Sequence, residues 1–272
     1  MSNPIPHVAE KDRKRPALIH SLLEARVPLE IAGLLLSLPL LPNTPRGDGH
    51  PVLVLPGLTA GDEGTFLLRQ YLASLGYSCH AWHMGRNIGP LAGNQDRLTS
   101  RVRLLAEQYQ QPVSLIGWSM GGLFARYVAH EVPELVRSVT SLGSPINLHE
   151  EADNIATLVA RMGSNIALED YTSLVNEKSW HHWRTTPPVP TTAIYSRSDG
   201  ACYWSTTRDP LQHDRAENVR VPGSHSGMTH NAFVFAVLAD RLAQRPESWK
   251  PYRRQGFAGL LLSMSKPLER VW

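Results

Sequence analysis

Cysteine is scarce in this sequence. Cys79 and Cys202 are the only two, too few and too far apart to read as a disulfide framework. Cys79 sits in the run Tyr77-Ser78-Cys79-His80-Ala81-Trp82, where a buried strand thiol behaves as a small hydrophobe, and a reducing compartment is compatible with both. A long uninterrupted apolar run is also missing. Leu29 to Leu41 is broken by Glu30, Gly33 and Pro39 and is shorter than the roughly 20 residues a membrane-spanning helix needs. Pro42-Asn43-Thr44-Pro45 follows it, not a small-residue cleavage site. The run Phe257 to Leu262 is shorter still. Both are expected to be amphipathic segments packed on the domain, with peripheral membrane contact as the alternative reading, and the expected location is cytoplasmic with no signal peptide.

An excess of charge of one sign is lacking as well. Lys and Arg number 27 against 24 Asp and Glu, a net charge of +3, and no basic stripe interleaved with aromatics appears, which argues against a nucleic-acid partner. The basic cluster Lys11, Arg13, Lys14 and Arg15 reads as part of a solvated arm. No Walker loop or dinucleotide fingerprint is present. His80, His83, His130, His149, His181 and His182 fall at no ligand spacing of the H-E-x-x-H kind, so surface or packing roles are expected for them and no metal.

What remains describes a folded chain. Its 272 residues, 42% hydrophobic and 19% charged, suffice for one large α/β domain with an insertion. Residues 1–50 read as an N-terminal extension: a polar arm, a helix from about Arg15 to Arg26, the Leu-rich segment, and a Pro/Gly-dense linker from Pro42 to His50. Residues 51–272 read as the α/β domain. Apolar runs at Pro51 to Leu55, Tyr77 to Trp82, Val113 to Ile116, Leu135 to Leu142, Thr191 to Tyr195 and Asn218 to Val221 predict strands. Helices are predicted at Thr65 to Leu75, closed by Gly76, at Gln95 to Gln110, from Leu123, and at His230 to Gln244. This alternation predicts a mostly parallel, doubly wound sheet. Between about residues 146 and 190 the alternation stops, and Ile155, Leu158, Val159 and Met162 recur at helical spacing. That block is predicted to be an inserted helical cap over the site.

The chain is organised around Gly117-Trp118-Ser119-Met120-Gly121, between an apolar strand and a helix. A side chain at the apex of a strand-to-helix elbow needs strained backbone angles, and small residues two positions either side relieve the crowding. The helix dipole and its free N–H groups then favour negative charge at the apex. Ser119 is the candidate nucleophile. In such sheets ligands gather beyond the carboxyl ends of the strands. There lie Ser196-Arg197-Ser198-Asp199-Gly200, after one strand, and Pro222-Gly223-Ser224-His225-Ser226-Gly227, after the last. A serine hydroxyl needs a base, histidine titrates near neutrality, and a carboxylate fixes the imidazole tautomer. Asp199 and His225 are the candidates, with Asp209 and Asp214 as rival acids and His230 as the rival base. The order serine, aspartate, histidine is that of a nucleophile-elbow triad. Two N–H groups should hold the oxyanion: Met120, after the nucleophile, and Leu58 in the turn Pro56-Gly57-Leu58, with Thr59 as a weaker candidate.

From Pro51 to Gln244 the chain resembles the α/β-hydrolases, more narrowly their lipase and esterase branch, with a Leu-Pro-Gly-Leu turn where relatives often carry His-Gly. The resemblance implies an α/β-hydrolase fold and hydrolysis of a small-molecule or lipid ester through an acyl-enzyme, with no metal or organic cofactor. An acyltransferase using the same triad, or a catalytically silent binding module on this fold, are the alternatives; fold alone does not choose among them.

Overall fold

The run Pro51–Leu55 is a strand, β1, buried at every position. Leu53 and Leu55 point into one apolar layer and Val52 and Val54 into the other, as expected of a parallel strand covered on both faces. The computed structural model describes residue 16 and residues 18–37, 44–90, 93–147 and 175–253. Within these, β1 is joined by β2 (Ser78–Ala81), β3 (Val113–Trp118), β4 (Val136–Leu142), β5 (Thr191–Tyr195) and β6 (Ala216–Arg220). All neighbours pair parallel, in the order β2-β1-β3-β4-β5-β6. The chain leaves β1 for β2 on one side and then crosses to β3 on the other. This reversal opens a crevice beyond the carboxyl ends of β1 and β3.

Helices cover both faces. On the face of Leu53 lie α4 (Asn94–Tyr109) and α5 (Met120–Glu131), and on the face of Val52 lie α3 (Phe66–Ser74) and α7 (Ala232–Ala243). The helix after the elbow begins at Met120, not Leu123. Gly121 and Gly122 are poor helix formers, and packing overrides their propensity. Two short pieces, α1 (Leu18–Leu22) and α2 (Val27–Ser37), joined by a 3-10 turn at Leu23–Arg26, form the N-terminal segment. The helix predicted to stop near Arg26 therefore runs on through the described part of the Leu-rich segment. Leu34 is the one buried residue of α2, while Leu29, Leu35 and Leu36 are exposed. Burying one leucine contributes about 2 kcal/mol, so apolar packing alone holds this segment weakly. No helix among the described residues is long and apolar enough to cross a membrane.

Of the predicted cap, residues 148–174, including Ile155, Leu158, Val159 and Met162, lie outside the described residues, as do Phe257 to Leu262 at the C-terminal end. The described remainder contains α6 (Glu177–Arg184), opened by Asn176, whose side chain accepts the Ser179 N–H. It is fastened to α5 by Arg126, a fully buried side chain. Its guanidinium donates to the Trp183 and Thr185 carbonyls and to Asp209 Oδ2, each at 2.6 Å. Burial disfavours the charge on Arg126, and Asp209 counters it. Removing one member of such a pair strands the other in the interior. Arg126→Ala is expected to lower stability by about 3–5 kcal/mol in chemical denaturation, and a loss under about 1 kcal/mol would mean the Asp209 carboxylate is solvated.

Candidate active site

The register lines up the strand ends: Leu55 faces Gly117, Trp118 faces Leu142, Leu142 faces Ile194, and Ile194 faces Val219. Residues just past these ends therefore share one rim. Ser119 sits there between β3 and α5 at φ 52° and ψ −119°. A non-glycine residue in this region costs on the order of 1–3 kcal/mol, so its surroundings must enforce it. Part of the enforcement is the Ser119 N–H, which donates to the Leu142 carbonyl at 2.9 Å. The rest is close packing. A Cβ on Gly117 would lie 2.3 Å from backbone atoms of Gly121 and Gly122, and one on Gly121 would lie 2.5 Å from the Leu55 carbonyl oxygen. Glycine at 121 thus seats the first turn of α5 directly on the end of β1.

That contact brings the two expected oxyanion donors to the same crevice. Met120 opens α5, where backbone N–H groups have no helical acceptor. Leu58 lies in the turn after β1, and among the described residues no hydrogen bond takes its N–H. The rival Thr59 N–H donates to the Asn87 carbonyl at 2.7 Å. Asn87, fully buried, also donates from Nδ2 to the Pro56 carbonyl at 2.8 Å and from its own N–H to Ala60. It braces the turn, a role that nothing local in the sequence announces.

Asp199 and His225 meet, with Asp199 Oδ2 2.8 Å from His225 Nδ1, both buried. The other carboxylate oxygen accepts the N–H groups of Ala201 and Cys202, which fixes the plane of the acid. A carboxylate on Nδ1 makes that nitrogen the donor and leaves Nε2 as the acceptor. Burial alone would lower the His225 pKa, but the Asp199 carboxylate outweighs it and holds the value well above the usual range. Ser119 Oγ and His225 Nε2 are both buried, and among the described residues neither has a hydrogen-bond partner. No hydrogen bond joins the candidate nucleophile to the candidate base; catalytic hydrogen bonds of this kind often tighten only when substrate binds. The elbow is nevertheless tied to the histidine loop, because Trp118 Nε1 donates to the His225 carbonyl at 3.0 Å.

The rivals are placed elsewhere. Asp209 is taken by Arg126 and by Thr186 Oγ1, Asp214 is exposed, and His230 bonds the neighbouring Thr229. His130 and His182 stack between α5 and α6, with ring centroids 4.7 Å apart, a packing role. Among the described residues, Asp199, Cys202 and His225 form the one group of His, Cys and acidic side chains close enough to share a metal. Two of its potential ligand atoms, Asp199 Oδ2 and His225 Nδ1, already hold each other. Burial pushes the Cys202 thiol up, so it stays protonated.

The N-terminal segment also reaches this rim, which the sequence reading missed. Glu24 accepts the N–H groups of Gly200, His225 and Ser226. Glu30 accepts the Ser224 N–H and hydroxyl. Arg26 donates to the Ser198 carbonyl and hydroxyl, and Ser21 donates to the Gly200 carbonyl. Hydrogen bonds to a charged group contribute about 1.5–3 kcal/mol each, less where solvent reaches. These contacts, more than Leu34, dock the segment. The one signal in the sequence was Glu30, a charge interrupting a leucine run.

Comparison with known proteins agrees with this architecture. Residues 100–186 match the family model of the alpha/beta hydrolase fold. A triacylglycerol lipase of Pseudomonas fragi is 43% identical over 75 residues, 26% of this chain and 26% of the relative. One from Pseudarthrobacter phenanthrenivorans is 32% identical over 113 residues, 38% of this chain and 35% of the relative. The chain thus spans about a third or less of the length of these curated relatives. The crystal structure of Aspergillus fumigatus lipase B superposes with a TM-score of 0.54 at 14% identity, covering 81% of this chain and 58% of that one. Sheet order and this superposition show that the chain has the α/β-hydrolase fold, and its local sequence likeness is to lipases over part of its length.

Proposed function

We propose that the chain hydrolyses carboxylic esters through an acyl-enzyme. Ser119 attacks the carbonyl, His225 accepts its proton at Nε2 and returns it to the leaving alcohol, and Asp199 orients the imidazole and stabilises imidazolium. The N–H groups of Leu58 and Met120 hold the oxyanion. Water then attacks the acyl-enzyme carbonyl as His225 takes its proton, and that proton passes to Ser119 Oγ as the bond to the acyl group breaks, releasing the acid. The observation that carries this reading is the buried Asp199–His225 pair beside a serine held at positive φ. The triacylglycerol lipases among the relatives favour a lipophilic acyl ester over a small polar one.

The reading is tested with a serine-directed fluorophosphonate and mass spectrometry. An adduct on Ser119, lost in His225→Ala, is expected; a protein that hydrolyses esters yet carries no adduct on Ser119 would refute the mechanism. A pH profile adds a second check. His225 works as a base only when neutral, and its pKa is raised, so kcat/KM should climb with pH through an apparent pKa above the ordinary histidine value of about 6.5. The same shift stabilises the fold below about pH 6.5, and that contribution fades as pH rises through the raised value.

A further inference from the structure

Glu24 lies in the 3-10 turn between α1 and α2, yet its carboxylate faces the candidate catalytic loops. Oε1 accepts the Gly200 N–H at 2.9 Å and the His225 N–H at 2.8 Å, and Oε2 accepts the Ser226 N–H at 2.8 Å. Gly200 directly follows Asp199. One side chain therefore spans the loop that carries the acid and the loop that carries the base.

We propose that Glu24 is a positioning residue for the Asp199–His225 pair, locking the two loops in register through their backbone and placing a fixed negative charge beside the imidazolium formed in catalysis. This rests on the triad reading above. The geometry favours it over a merely structural anchor. The three donors are His225 itself and the residues next to His225 and Asp199. Trp118 meanwhile donates to the His225 carbonyl, so the main chain of the base is held at both its N–H and its carbonyl.

Among the described residues, the charged and titratable groups around His225 come from three elements. Asp199 and Cys202 face it from the acid loop and Glu24 from the N-terminal turn. Glu30 sits one residue away on Ser224, paired with Arg26, and His230 lies on the turn that follows. Burial would raise the Glu24 pKa, but the backbone donors outweigh it and keep it below the ordinary value. Glu24 is then ionised wherever the base functions, and its influence on a pH profile is exerted through His225.

The test compares kcat, KM and their pH dependence on a p-nitrophenyl ester for the full chain and its Glu24→Gln, Glu24→Asp and Ser21→Ala variants, with thermal unfolding of each. Glutamine keeps the volume but loses the charge and one acceptor. Glu24→Gln should lose about tenfold or more in kcat, since small displacements of a catalytic group are costly, with KM within about twofold. The acidic limb of kcat/KM should move to lower pH, because the imidazolium loses a nearby carboxylate. Glu24→Asp keeps the charge and should return that limb towards the wild-type position while kcat stays reduced. Ser21→Ala removes a bond to Gly200 without touching charge, and its limb should stay in place.

A folded Glu24→Gln with wild-type kcat and an unmoved limb would overturn the proposal, and so would loss of the folded state in both Glu24 variants, which would make Glu24 a folding residue. Failure of the triad reading shows differently: wild-type protein would turn over ester without fluorophosphonate modification of Ser119, whatever Glu24 does, and the proposal would fall with it.

Discussion

Ser119→Ala is expected to cut ester turnover by about 10⁶-fold while leaving the fold and its thermal transition essentially unchanged. The size follows from the proposed mechanism: without Oγ no acyl-enzyme would form, and what survives would be hydrolysis assisted only by binding and by the two proposed oxyanion donors. The fold should tolerate the change because Ser119 Oγ makes no hydrogen bond to any described residue. The strain at φ 52° belongs to the backbone, and alanine inherits it. The measurement is kcat on a chromogenic ester alongside circular dichroism. Turnover within tenfold of the parent would exclude Ser119 as nucleophile.

Asp199→Asn should cost about 10⁴-fold in kcat with a much smaller effect on KM. The amide can still accept the Ala201 and Cys202 N–H groups through its oxygen. That choice turns the NH₂ towards His225 Nδ1, which must then accept, so the ring proton moves to Nε2 and the imidazole can no longer take one from Ser119. The substitution also removes the carboxylate that keeps the His225 pKa high, so residual activity should show an acidic limb shifted downwards. Near-normal kcat in this variant would remove Asp199 from the mechanism and return attention to the elbow alone.

The two kinds of element differ in how much the sequence disclosed. Strands covered on both faces read as continuous apolar runs, and Pro51–Leu55 and Val113–Trp118 stand where those runs predicted them. The elbow was legible because its glycines answer a steric need two residues away, and Asp199 and His225 because polar loops after parallel strands fall on one rim. The last strand begins two residues before the predicted run and ends one residue before that run does, since Ala216–Arg220 alternates and carries Glu217, buried against Thr192 and Arg241. Asn87 and Glu24 were opaque for another reason. Their partners are backbone groups far along the chain, and no local pattern encodes an acceptor for a donor that is 201 residues away.

That separation bears on how the molecule is assembled. The contacts that complete the rim join the turn at Leu23–Arg26 to residues 198–226, among the most non-local pairings in the chain. Such pairings form late, because the loop entropy of closing so long a stretch must be met before they give anything back. During synthesis α1 and α2 leave the ribosome early and have no partner until β5 and β6 have been made and docked on the sheet. The helices that open the described chain are therefore among the last to find their place, and the site matures only when both ends of the fold have met.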